Sequence, residues 1–276
     1  MNRKFFGSAW RVIFALVFSL SLAGIPTREA KALTYIVDNL NNSGVGSLRQ
    51  AMIDANINNP AADTITFTVS GTITLSSSLP IIIDDLTLDG SGQEVAIDGN
   101  HLYRVLRINS GKTVTIDHLS IIHGASTGST GGAILNSGGD LTVSDSLLSG
   151  NSAASGGAIY NDGGTTTVTD STFSGNSADY GGAVHNFNGS VTIANSTFSG
   201  NSAVEGGGGI HSAQTTGTNE LIVTNSSFSG NTARYGGGIY SNTGALAVTN
   251  GTFSGNSAIT IGADIYRWNG TFYLKN

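Results

Sequence analysis

STFSGNSADYGGAV at residues 171–184, STFSGNSAVEGGGGI at 196–210 and SSFSGNTARYGGGI at 226–239 are three copies of one phrase. Looser copies flank them, SLLSGNSAASGGAI at 146–159 and GTFSGNSAITIGADI at 251–265. The Asn of each SGN element falls at Asn151, Asn176, Asn201, Asn231 and Asn256, in steps of 25, 25, 30 and 25 residues. A fixed step of roughly 20 to 50 residues marks a stacked array, in which a unit buries its apolar face only against its neighbours.

Aligning the units gives an apolar column at Leu141, Thr166, Val191, Leu221 and Leu246, and another two residues on at Val143, Val168, Ile193, Val223 and Val248. Mostly hydroxyl side chains separate them, at Thr142, Thr167, Thr192, Ile222 and Ala247, the two-residue period of a half-buried strand. Asp145, Asp170, Asn195, Asn225 and Asn250 follow, residues that favour a turn by bonding their own backbone. Leu148, Phe173, Phe198, Phe228 and Phe253 form the next inward column, and coils about 4.8 Å apart would stack these rings face over face. The SGN asparagines suit an amide ladder. Ile134, Ile159, Val184, Ile210, Ile239 and Ile265 then point inward from a further strand, after glycines that permit a tight corner.

Three strands and three corners per coil, stacked in parallel register, predict an all-β chain folded as a parallel β-helix solenoid. Crossover chirality makes it right-handed. Leucine-rich repeats would need a Leu-x-x-Leu-x-Leu frame and propellers a Trp-Asp signature, and neither is present. The insertion SAQTTGTNE at 212–220 accounts for the 30-residue step as a longer corner.

Residues 1–32 read as a signal peptide. Arg3, Lys4 and Arg11 precede an apolar run from Val12 to Ile25, too short to span a bilayer comfortably, and Ala30-Lys31-Ala32 offers a cleavage site before Leu33. Residues 33–60 form an N-terminal strand and a capping helix. Ser47 is the N-cap, and Leu48, Ala51, Met52 and Ala55 supply the apolar face that covers the open first coil. Residues 61–276 form the β-helix, irregular over 61–124 and regular, at about 25 residues a coil, over 125–276.

Removing the leader takes five of 12 Lys and Arg and one of 18 Asp and Glu, leaving seven against 17, a net charge of −10. Such a chain, without a basic stripe, is a poor partner for nucleic acid or anionic lipid, and no membrane insertion follows cleavage. With zero cysteines, stability rests on burial and backbone pairing. Glycine is 39 of 276 residues, but regularly spaced Val, Ile and Phe exclude a flexible linker.

GSLRQAMIDAN followed by DTITF resembles the N-terminal module of secreted bacterial β-helix proteins with a Cys-Ser-Leu-Arg-Glu-Ala signature, Gly46 standing for the Cys and Gln50 for the Glu. The repeats resemble those of polymorphic outer membrane proteins. Phe173/Asn176, Phe198/Asn201, Phe228/Asn231 and Phe253/Asn256 match their Phe-x-x-Asn mark, and GGAI at 131 and 156 and GGAV at 181 match Gly-Gly-Ala-Ile. The resemblance implies a right-handed parallel β-helix of the pectin-lyase-like type, exported and placed on a bacterial surface. That outer-membrane family also carries a C-terminal barrel, and only YRWNGTFYLKN follows Ile265. The expectation is therefore a released protein, one held by a partner, or a fragment.

Alternation places Leu135, Tyr160, His185, His211, Tyr240 and Tyr266 outside, immediately after the inward Ile column. Tyr160, His185, His211, Tyr240 and Tyr266, with Asn136, Asn161 and Asn186 beside them and Tyr180 and Tyr235 widening the stripe, form a candidate surface for a polysaccharide or surface glycan. Aromatic faces stack on sugar C–H patches and amides bond hydroxyls; an outer ladder held by cross-strand pairing explains the same column. The leading expectation is an adhesive or structural module that is non-catalytic and needs no cofactor.

The competing expectation is a polysaccharide lyase or glycoside hydrolase. By resemblance a lyase needs a cationic base beside acids that bind calcium or substrate, and Arg234 with Asp179 and Glu205 is the candidate patch. A solvated salt pair at a corner is the simpler account of those three. For a hydrolase, Asp84-Asp85 and His118 to His123-Gly124 are similar to part of the polygalacturonase pattern, without its Asn-Thr-Asp and Arg-Ile-Lys elements. Asp117 and Asp145 read as turn residues, and Asp145 and Asp170 stack closely enough to share a calcium ion. His185 and His211 are too few for a metal site read from sequence.

Overall fold

The computed structural model describes residues 31–58, 62–214 and 220–275. The expected leader, apart from Lys31 and Ala32, lies outside these residues. Among the described residues no helix is long and apolar enough to cross a membrane.

The chain coils into a parallel β-helix whose strands form four sheets of ten, eight, seven and six strands, every pairing being parallel. The ten-stranded sheet runs from Thr34–Val37 to Thr271–Lys275 and carries the Leu and Val columns. The eight-stranded sheet carries the phenylalanines, and the seven-stranded sheet carries the inward isoleucines. The fourth sheet, from Ala125–Thr130 to Ser257–Ile261, corrects the expected three strands per coil. Its Ser-Ala-x-x segments bury Ala178, Ala203 and Ala233 and leave most of their other side chains in contact with water, so they carry no apolar alternation.

Equivalent columns lie directly above one another. Phe173, Phe198, Phe228 and Phe253 form a single interior file with ring centroids 4.7, 4.8 and 5.0 Å apart and planes within 10° of parallel. Each such offset stack adds about 0.5–1.5 kcal/mol beyond burial. The SGN asparagines form the expected ladder. Asn176 donates from both its backbone N–H and Nδ2 to Asn201 Oδ1, at 3.0 and 2.9 Å, and Asn201 repeats this toward Asn231. Each Nδ2 also reaches a carbonyl of the phenylalanine file one coil back, as Asn201 Nδ2 does to Phe173 O at 3.0 Å.

Two corners are nearly invariant. Asp145, Asp170, Asn195, Asn225 and Asn250 sit at φ 46–50°, a one-residue left-handed corner that Asp and Asn tolerate. Asp117 is not the turn residue of its coil: it pairs with Ser144 at the strand end, and His118, φ 53°, occupies the corner. His123, φ 48°, likewise takes the place of the SGN glycine Gly150, since Ile122 pairs with Ser149. These two histidines, which suggested a hydrolase element, are therefore corner residues.

The helix Leu48–Ile57 matches the expectation. Ser47 Oγ accepts from Gln50 N at 3.2 Å, and Leu48, Ala51, Met52 and Ala55 are buried. Tyr35 Oη donates to Asp54 O at 3.2 Å, and Arg49 holds the Asn42 and Ser77 carbonyls at 2.9 and 2.7 Å, fixing the helix against the first coils.

Candidate functional site

At the corner between the fourth and third sheets, a Cβ on Gly157 or Gly182 would collide with the glycine carbonyl of the next coil. Only glycine permits the coils to stack there. The corner delivers Ile159, Val184, Ile210 and Ile239 into the core and the following residue to the outer face of the sheet.

On that face the expected residues do meet. Tyr160 lies edge-on to His185 at 5.1 Å, the His185 and His211 rings are 4.6 Å apart, His211 stacks on Tyr240 at 4.8 Å and 1°, and Tyr240 stacks on Tyr266 at 5.3 Å and 14°. Tyr180 lies over His211 at 5.4 Å, Tyr235 beside Tyr266 at 5.8 Å, and Phe187 over Tyr160 at 6.4 Å.

Two parts of the sequence reading are corrected. His185 and His211 are buried, 6 % and 5 % exposed, because Tyr160, Tyr180, Phe187 and Tyr240 close over them. Burial drives the His185 imidazole down to about 3 and, with the neighbouring His185, holds His211 well below its usual range. Asn136, Asn161 and Asn186 are fully buried, because two residues past an inward Ile the alternation points inward again. They form a second internal ladder, Asn136 Nδ2 to Asn161 Oδ1 at 2.8 Å and Asn161 Nδ2 to Asn186 Oδ1 at 2.9 Å, and offer nothing to a surface ligand.

The accessible part of the band lies toward the C-terminal coils. Tyr235, Tyr240, Asn242, Tyr266 and Trp268 line a cleft of about 260 Å³, and Trp268 is 70 % exposed. The sequence reading omitted Trp268 and Asn242. They follow the Tyr column by two residues at a strand end, where the repeat has lost its regularity. The extra residue of 202–206 shifts the register so that Tyr180 and Tyr235 both pair with Gly206. A Cβ on Gly206 would meet the Tyr240 ring, so the absence of a side chain there lets Tyr240 lie close.

The alternative enzyme patch is a corner ion pair. Arg234 Nη1 meets Glu205 at 3.3 Å with both side chains exposed, Arg234 also lies over Tyr235 at 5.3 Å, and Asp179 forms no ion pair among the described residues. Asp84 is buried and paired with Lys112 at 3.5 Å, and Asp85 Oδ1 accepts from Thr113 N at 2.8 Å, both structural roles.

A larger concavity of about 750 Å³ lies over the phenylalanine sheet, lined by Glu94, His118, Asp145 and Asp170 among others. The ligating atoms of Asp117, His118 and Asp145 come within 4.8 Å of one another. Partial burial raises the Asp117 carboxyl, but hydrogen bonds from Ser144 and His118 outweigh it and hold the group below the usual range; the same bond raises exposed His118. The set supplies two carboxylates and one imidazole nitrogen, where calcium takes six to eight oxygens from side chains, backbone and water together.

Residues 54–271 match the family model described as the right handed beta helix region, so the chain belongs to the right-handed β-helix family. No curated protein matches the sequence. Among solved structures the chain is similar to jun a 1, the major allergen from cedar pollen, at 15% identity, over 88% of this chain and 77% of that one, with a TM-score of 0.43.

Proposed function

We propose that this protein is an exported, non-catalytic β-helix module that holds glycan chains on its aromatic band, in an adhesive or structural role at a cell surface. The observation that carries the reading is the cleft of Tyr235, Tyr240, Tyr266 and Trp268 with the Asn242 amide at its edge. Rigid aromatic rings present large amphipathic faces at little entropic cost, and the amide supplies the directional bond that a hydroxyl needs. Arg234, over Tyr235 at 5.3 Å, is paired with Glu205, and Arg267 is engaged by Ser241 Oγ at 3.3 Å and the Gly244 carbonyl at 2.5 Å, which favours neutral over acidic sugars.

The test is affinity electrophoresis of residues 33–276 through gels loaded with single polysaccharides, with the products assayed for new unsaturated ends. The expected result is retardation by a neutral glycan that disappears in Tyr235→Ala/Tyr266→Ala/Trp268→Ala, without chain cleavage. Retardation unchanged in the triple variant defeats the reading, and new unsaturated ends would instead establish a lyase.

A further inference from the structure

One file on the ten-stranded sheet holds the same residue on every coil from the first strand onward. Thr34, Thr64, Thr87, Thr115, Thr142, Thr167 and Thr192 pair in register, and the file ends at Ile222. All of them lie on the outer face, exposed or half-buried. Threonine suits any half-buried strand, and its structural use there is a hydrogen bond to the hydroxyl opposite. Such bonds do form elsewhere on this solenoid. Ser227 Oγ donates to Thr197 Oγ1 at 3.2 Å on the phenylalanine sheet, and Thr232 Oγ1 donates to Ser202 Oγ at 3.2 Å on the fourth sheet. In the threonine file no hydroxyl has a partner among the described residues, so the whole row is left to water.

The row is also flat and stiff. Its sheet keeps register from coil to coil, whereas the fourth sheet slips. The phenylalanine planes inside turn by only 3°, 8° and 10° between coils, where strands of ordinary sheets rotate by about 20–25°. The β-branch of threonine fixes χ1, so each methyl and hydroxyl has a set position. Hydroxyls repeat at about 4.8 Å between coils and about 6.6 Å along a strand, and the file runs for about 29 Å. Thr165 and Thr169 flank Thr167, and Ser190 flanks Thr192, which widens the row into a two-dimensional array.

We propose that this threonine face binds ice. From Thr34 to Thr192 it offers no aromatic face on which a sugar ring could stack. What it can match is a partner that repeats at its own two spacings, and these are close to the oxygen repeats on the prism face of ice. Each hydroxyl can donate one bond and accept two from lattice waters, while each methyl restricts the water above it. The strands that carry the file contain no Lys or Arg, and Asp89, Asp117 and Asp140 stand to the side of it. The inference is independent of the glycan reading, since the aromatic band lies on the seven-stranded sheet.

The test is slow growth of ice from a dilute solution of the purified protein, with the protein in the ice and in the liquid both measured. Wild type is expected to be enriched in the ice and to open a gap between the melting and freezing points of a single crystal. Thr142→Tyr/Thr167→Tyr, which sets bulky rings in the middle of the file, should be excluded from the ice. Thr197→Tyr/Ser227→Tyr, on the outer face of the phenylalanine sheet, should be taken up as wild type is. Urea midpoints of both variants show whether each remains folded. Fluorescently labelled wild type adsorbed on the prism planes of a single-crystal hemisphere adds a readout that needs no variant. Exclusion of the wild type from ice, adsorption away from the prism planes, uptake unchanged in the threonine variant, or equal loss in the two folded variants would each overturn the proposal. So would binding to crystalline cellulose or chitin, lost in the threonine variant, in place of ice uptake.

Discussion

Mild acid should loosen this solenoid through two buried side chains. His185 and His211 are buried and unpartnered, so the folded protein binds protons there far more weakly than the unfolded chain, whose imidazoles titrate near 6.5. A group depressed on folding contributes stability above its unfolded value and loses it as pH falls toward the folded one. Between pH 7.5 and 5.0 the unfolded chain gains about 2 kcal/mol of protonation free energy per histidine, close to 4 kcal/mol for the pair, which the folded state does not match. Stopping at pH 5.0 stays above the carboxylate range, where the lowered Asp117 would add its own loss. Urea unfolding at the two pH values, in metal-free buffer, should show this loss in the wild type and most of it abolished in His185→Tyr/His211→Tyr. Equal losses in both proteins would refute the reasoning, as would a wild type whose stability is unchanged.

Other outcomes follow from the internal files. Asn201→Ala strands the Asn176 backbone N–H and Nδ2 and the Phe173 carbonyl, and should cost about 2–4 kcal/mol, read from the shift in urea midpoint. Phe198→Ala, between two stacked neighbours, should cost about 3–5 kcal/mol, whereas Phe253→Ala at the partly buried end of the file should cost clearly less by the same measurement. Arg234→Ala removes one exposed ion pair and should move stability by no more than about 1 kcal/mol, without altering glycan retardation.

The phenylalanine file and the SGN ladder were legible because five copies align and each column needs only its own residue type. The fourth strand was not, since Ser-Ala-x-x buries one small side chain per coil. The Asn136, Asn161 and Asn186 ladder was misplaced although the signal existed: a period of two carried one step further turns these amides inward. The burial of His185 and His211 had no local signal, because Tyr180 comes from the preceding sheet of its coil. Its ring reaches His211 of the following coil.

In the regular coils, from residue 125 onward, length variation is confined to one flank. The left-handed corner and the asparagine ladder fix their spacing to the residue, while the fourth sheet tolerates register slips and the chain lengthens between Ala213 and Glu220. The first behaves as a spine and the second as a margin that can be edited. Because the margin borders the aromatic band, a lineage can revise what the surface recognises by adding or deleting residues there, and leave the stacked interior untouched.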